Sequence, residues 1–218
     1  MLVDMRHVVW DWNGTLFDDL PIVLQAVNRG LEPLTGRRVT TDDYRNHYTR
    51  PVKRFYDAFL GRELGSDEWE ELDRRFHDGY RALLDHARLT TDARQALDSL
   101  ASRGVTQSLL SMFPHSELVP LVERMGISGY FDRIDGLRGP PGDAKAAYLE
   151  AHLRLLIMGE DPESVLVVGD TPDDAVAAAH VGARCVLVDN GSHHRHALEA
   201  MGVRVVHTLV EAIDGLGP

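Results

Sequence analysis

The chain has 218 residues, with 23 Lys+Arg against 34 Asp+Glu for a formal net charge of −11, 44% hydrophobic residues and one cysteine. That length buries a full core without staples and suits one domain plus a sizeable insertion, while the lone thiol, Cys185, excludes an intramolecular disulfide and a Cys-rich zinc cluster. The acidic balance argues against a polyanion bound over a broad face, and the sequence holds neither a leader-like start nor a long uncharged apolar run, so a cytoplasmic protein with no nucleic-acid or membrane partner is expected.

In chain order, the first predicted strand, His7–Trp10, is apolar and runs into Asp11-Trp12-Asn13-Gly14-Thr15. A carboxylate at the mouth of a buried strand, with a glycine nearby for an unusual backbone angle, can act as nucleophile or metal ligand, or can cap a helix. Residues 18–87 then show no strand pattern, and Gly36, Pro51 and the pair Gly61 and Gly65 separate helical stretches. The clearest opens at Ser66 and puts Trp69, Leu72, Phe76, Tyr80, Leu83 and Leu84 on one face, with Glu70, Glu71, Arg74, Arg75 and Asp78 off it. An all-helical insertion after the first strand predicts a cap of residues 18–87 on a core built from 1–17 and 88–218.

Beyond the insertion, β-branched runs alternate with helical spacing. A helix begins after the capping candidates Thr90 and Thr91 and ends at Gly104. Strands are predicted at Val105–Ser111, Ser164–Gly169, Arg184–Asp189 and Val203–His207, with helices over Asp143–Ile157 and Asp173–Val181. This is the pattern of an α/β fold, a Rossmann-like doubly wound parallel sheet. Such sheets bind ligands at the carboxyl ends of their strands, where Asp11, Ser111 and the run Gly169-Asp170-Thr171-Pro172-Asp173-Asp174 fall. Crowded carboxylates repel unless a cation sits between them, so Asp170 and Asp174 read as a metal signal, although Thr171 or Asp173 can also cap a helix there. Lys53 and Lys145 are the only lysines beside 21 arginines. Lys145 falls in the first turn of a predicted helix, where the dipole favours acids, which suggests an anion beside it.

Asp11-x-Asn13-Gly14-Thr15, Ser111, Lys145 and Gly169-Asp170-x-x-x-Asp174, in that order with a helical insertion after the first, resemble the haloacid dehalogenase-like (HAD) hydrolase superfamily. The resemblance spans nearly the whole chain and is nearest to the helical-cap branch that includes phosphoglycolate phosphatase and β-phosphoglucomutase. It implies a Mg²⁺-dependent phosphatase for a small phosphorylated metabolite. Asp11 would attack phosphorus, Thr15 and Ser111 would hold phosphate oxygens, and Lys145 would neutralise charge. Mg²⁺ would bind Asp11, the backbone carbonyl of Asn13 and Asp170, with Asp174 orienting the site through water or Lys145. Those parts suffice for phosphoryl transfer, which is chiefly a matter of alignment and cation placement.

The pattern departs from the resemblance at Asn13, where phosphatases of the superfamily usually carry an aspartate that moves a proton. An amide cannot exchange a proton at neutral pH. Alternatives are an acyl-phosphate hydrolase or phosphotransferase, and a weakly active binding or regulatory protein. A dehalogenase would not need the Asp170 and Asp174 pair, and a response-regulator-like receiver would not explain the insertion. In the cap, Arg50 and Lys53 are candidates for gripping the leaving group, Arg50 first, against the alternative of a solvated charged face. His193, His194 and His196 are expected in a surface loop rather than at a transition metal.

Overall fold

The computed structural model describes residues 5–49, 51–139, 144–156 and 161–214. In chain order they form β1 (His7–Trp10), β2 (Phe17–Asp18), α1 (Leu20–Thr35), α2 (Thr41–His47), α3 (Lys53–Leu60), α4 (Ser66–Leu83), β3 (Arg88–Leu89), α5 (Ala93–Ser102), β4 (Thr106–Pro114), α6 (His115–Arg124), β5 (Arg133–Leu137), α7 (Lys145–Arg154), β6 (Val165–Gly169), α8 (Pro172–Val181), β7 (Arg184–Val188), α9 (Arg195–Glu199), β8 (Arg204–Val206) and α10 (Leu209–Ile213). Two compact units result, one from the described parts of 5–18, 88–191 and 195–214, the other from Asp19–Ala87 with Ser192–His194.

The first unit is an α/β fold around a six-stranded sheet in the order β5-β4-β1-β6-β7-β8. Every pairing within it is parallel. The chain builds outward from β1 to β5, then returns to lay β6 on the other side of β1, so the winding reverses at β1 and β6. All residues of β1 and β6 are buried, as apolar strands covered on both faces must be. On one face Val9, Leu110, Val165 and Val167 pack with Leu149 and Leu153 of α7 and Ala177 and Ala178 of α8. One strand boundary differs appreciably from the sequence reading, and one strand is additional to it. β4 continues past Ser111 to Pro114, its register against β5 slipping between Leu110 and Pro114. β5 itself escapes sequence patterning because Arg133, Asp135 and Gly136 interrupt its apolar content.

The second unit packs α1 to α4 around Val27, Leu31, Tyr44, Phe55, Tyr56 and Leu72. Pairing of Phe17 with Leu89 and Asp18 with Arg88 forms a short antiparallel ribbon in the first unit, where the chain departs for the second and returns. Asp18 therefore groups with the sheet. Asp19 opens the helical unit, and its buried carboxylate accepts from Tyr80 Oη at 2.8 Å.

Candidate active site

The site is assembled where the winding reverses, the place at which an open parallel sheet leaves a crevice beyond its strand ends. Asp11 directly follows β1, and its amide donates to the carbonyl of Val168 at 2.9 Å, which carries the β1–β6 ladder one residue further. The chain then folds on itself. Gly14 N–H donates to Phe17 O and Phe17 N–H to Trp12 O, both at 2.9 Å. Gly14 sits at φ 73°, a conformation a side chain would strain. The Trp12 and Phe17 rings stack with centroids 4.8 Å apart. Thr15 Oγ1 lies 3.4 Å from Asp11 Oδ2, and the Thr15 carbonyl accepts from Thr90 Oγ1 at 2.5 Å. Thr90 therefore braces this loop rather than capping α5, whose N-cap is Asp92.

Asp170 and Asp174 come from the adjoining strand. Asp170 follows β6, and Asp174 lies in the first turn of α8. There Asp174 Oδ2 accepts from the backbone N and Oγ1 of Thr171, at 3.0 and 2.7 Å, closing a capping box. Its other oxygen stands 2.5 Å from Lys145 Nζ. Lys145 is the first residue of α7, and its ammonium also donates to Asp11 Oδ1. An electrostatically unfavourable position for a lysine is thus offset by two carboxylates facing it. One ligand atom from each of Asp11, Asp170 and Asp174 lies within 4.8 Å of the others, and all three residues are buried.

Burial is the main influence on these charges. It raises the Asp11 carboxyl to about 6, with Asp174 pushing the same way and Lys145 pulling it back. For Asp174 burial works upward too, but Lys145 and the Thr171 hydrogen bonds outweigh it and hold the group below the ordinary carboxylate range. Lys145 is held above the ordinary lysine value because Asp11 and Asp174 together overcome its burial. Three carboxylates against one ammonium leave negative charge in a dry site. The set is all oxygen, without the imidazole or thiolate that zinc and copper sites favour, so it fits a hard divalent cation.

The other candidates differ in how the structure engages them. Ser111 is buried in the interior of β4 rather than at its end, and its Oγ accepts from Phe113 N at 3.0 Å. Arg50 lies outside the described residues. Lys53 is engaged by Asp57 one turn along α3, at 2.9 and 3.1 Å, so it braces that helix rather than waiting for a ligand. His193 and His194 are half-buried and His196 is exposed on α9. The His193 ring meets Tyr48 edge-on with centroids 5.6 Å apart. Sequence patterning missed Gly191, which touches the site through its backbone alone.

A parallel sheet whose winding reverses beside a buried lysine and three carboxylates is an α/β fold with a candidate ligand site at its strand ends. The chain belongs to the haloacid dehalogenase-like hydrolases, whose family pattern it matches over residues 5–182. It is 27% identical over 200 residues to a phosphoglycolate phosphatase of Chromobacterium violaceum, covering 87% of each chain. It is 28% identical over 217 residues to a phosphoglycolate phosphatase of Pseudomonas fluorescens, covering 96% of this chain and 79% of that one. Its fold is shared with a haloacid dehalogenase-like family protein of Streptococcus pneumoniae, at a TM-score of 0.80, 19% identity and coverage of 96% and 97%. Among the described residues no helix is long and apolar enough to cross a membrane.

Proposed function

We propose that the protein is a Mg²⁺-dependent phosphatase that hydrolyses a small phosphomonoester through an aspartyl-phosphate on Asp11. The observation that carries this reading is the buried constellation of Asp11, Asp170 and Asp174 with Lys145 between two of them. The phosphoglycolate phosphatases among its relatives support the substrate class. Asp11, Asp170 and the Asn13 carbonyl would hold Mg²⁺, which supplies positive charge for the transferring phosphoryl oxygens.

In this mechanism an Asp11 oxygen forms the bond to phosphorus while the bond from phosphorus to the leaving oxygen breaks. Water then cleaves the aspartyl-phosphate, returning the carboxylate and releasing phosphate. Lys145 balances charge on both Asp11 and the phosphoryl group, and its hold on Asp174 fixes where the ammonium sits. Thr15 and Ser111 donate hydroxyls to phosphate oxygens. Asp174 orients Lys145 from its capping box. Asn13 can donate a hydrogen bond but cannot protonate the leaving oxygen, so this reading favours monoesters with good leaving groups, and an acyl-phosphate hydrolase is the alternative it leaves. The helical unit is assigned the role of a cap that selects the leaving group.

The test is phosphate release over a panel of small phosphomonoesters and acyl phosphates, with Mg²⁺ and with EDTA. Magnesium-dependent release abolished in Asp11→Asn supports the proposal. Release that is insensitive to both EDTA and that substitution overturns it.

A further inference from the structure

Gly36, Gly61, Gly104 and Gly202 all have positive φ, and a Cβ at any of them would meet nothing within 4 Å. Their backbone angle accounts for them. Gly191, in the loop after β7, is the opposite case. It is buried and is not among the positive-φ glycines, so its backbone is open to alanine. Space alone forbids the side chain. A Cβ built there would lie 2.5 Å from Asp170 Cγ and 2.9 Å from Asp170 Cβ, and would overlap Oδ2.

A second glycine also abuts Asp170. A Cβ on Gly14 would stand 2.5 Å from Asp170 Oδ2, 2.7 Å from its Cγ and 3.1 Å from the Cα of Gly191. In the sheet order β6 lies between β1 and β7. The loop after each neighbouring strand therefore brings a bare backbone against the carboxylate that ends the middle one. Two backbones are poor at yielding, so the carboxylate is held by walls that cannot change rotamer. A methyl at residue 191 would press on Cβ and Cγ of Asp170 as well as its tip, and turning the carboxylate about χ2 would not clear it.

We propose that Gly191 is a positioning residue for Asp170: with Gly14 it forms a side-chain-free slot that fixes the Asp170 carboxylate toward Asp11 for cation binding. The inference deepens the proposed function and rests on Asp170 being a metal ligand. It predicts that Gly191→Ala leaves Asp11 and Lys145 in place yet lowers Mg²⁺ affinity about 10- to 100-fold, the range for residues that orient a ligand without being one.

A double-mutant cycle with Asp170→Ala tests it, read by Mg²⁺ calorimetry and, separately, by thermal unfolding in EDTA. Gly191→Ala should lower both Mg²⁺ affinity and melting temperature. The same substitution in the Asp170→Ala background should change the melting temperature little, because the overlapping atoms are gone. If Gly191→Ala does not fold, recovery of folding in the double variant supports the slot, and failure of both variants overturns it. Equal loss of melting temperature in the two backgrounds, or unchanged Mg²⁺ affinity in Gly191→Ala, also overturns it. Should the parent itself bind no Mg²⁺, the metal reading and with it the proposal falls, while the coupling in EDTA still reports whether residues 170 and 191 compete for one space.

Discussion

Lys145 Nζ stands 2.5 Å from Asp174 Oδ1 and also donates to Asp11, so one buried ammonium holds two buried carboxylates apart. Removing it leaves both acids uncompensated. Lys145→Met should destabilise the protein by about 3–5 kcal/mol, the usual cost of breaking a buried ion pair from one side. Urea unfolding in EDTA measures this directly. A variant as stable as the parent would mean that the acids do not both carry charge when the lysine is absent.

Asp11→Asn should abolish turnover and keep the fold, since an amide of equal size still accepts from Lys145 but is a poor nucleophile. Trapping with beryllium fluoride should require both Mg²⁺ and Asp11. Parent-rate phosphate release from the variant would eliminate the covalent route.

Asp170 and Asp174 should differ in kind. Asp170→Ala is expected to lose Mg²⁺ affinity, whereas Asp174→Ala should weaken it less. The second substitution should instead cost stability, because it also dismantles the Thr171 capping box and the Lys145 contact. Calorimetric Mg²⁺ titration and thermal unfolding of the two variants separate the roles, and identical profiles would erase the distinction.

How much of this was legible in the sequence depends on what positions each residue. Asp11, Asp170 and Lys145 sit at the ends of elements whose patterns are strong, and the ends of strands and helices are where a sheet of this type places its chemistry. Ser111 was harder, because the slip in β4 that carries the strand on to Pro114 has no local signature. Gly191 was invisible to patterning, since its role lies in an atom it lacks and depends on which strands become neighbours. β5 was hidden by its own polar residues, among them Asp135, which accepts from His152 Nδ1 at 2.7 Å and joins a buried polar chain.

That chain makes a pH prediction. The ionised Asp135 can only accept, so His152 Nδ1–H donates to it and His152 Nε2 accepts from Ser108 Oγ at 2.8 Å. His7 adjoins this chain, its Nε2 2.7 Å from Ser108 Oγ and its Nδ1 2.7 Å from Thr106 Oγ1, whose hydroxyl also donates to Arg6 O. Burial, then the neighbouring His152, holds His7 at about 4 against the ordinary 6.5, and burial also lowers His152. Between those values the unfolded chain binds the proton first. Stability is therefore full above about 6.5 and falls as pH drops toward 4, by roughly 3 kcal/mol from His7 alone. His7→Gln should flatten the pH dependence of unfolding in that window, and an unchanged slope would remove His7 as its source.

The last prediction concerns Asn13, which lies in the loop held by the Gly14 N–H bond to Phe17 O at 2.9 Å. If this position lacks a proton carrier, Asn13→Asp should raise turnover on poor leaving groups, such as sugar or glycolate phosphates, far more than on p-nitrophenyl phosphate or acyl phosphates. A good leaving group departs without a proton, so the carboxyl adds little there, whereas general acid help is typically about 10²–10⁴-fold where protonation limits the rate. Asn13-Gly14 is also a sequence with little steric protection against deamidation, so traces of aspartate formed on storage would mimic the variant. Mass spectrometry of the peptide spanning residue 13 must accompany each assay. A uniform change across leaving groups, or none, would show that another group already moves the proton. Asp18, Asp19 and His115 are then the residues to replace. Asp19 already accepts from Tyr80 and His115 Nδ1 from Gly136 N at 3.1 Å, which leaves the exposed Asp18 as the first of the three to test.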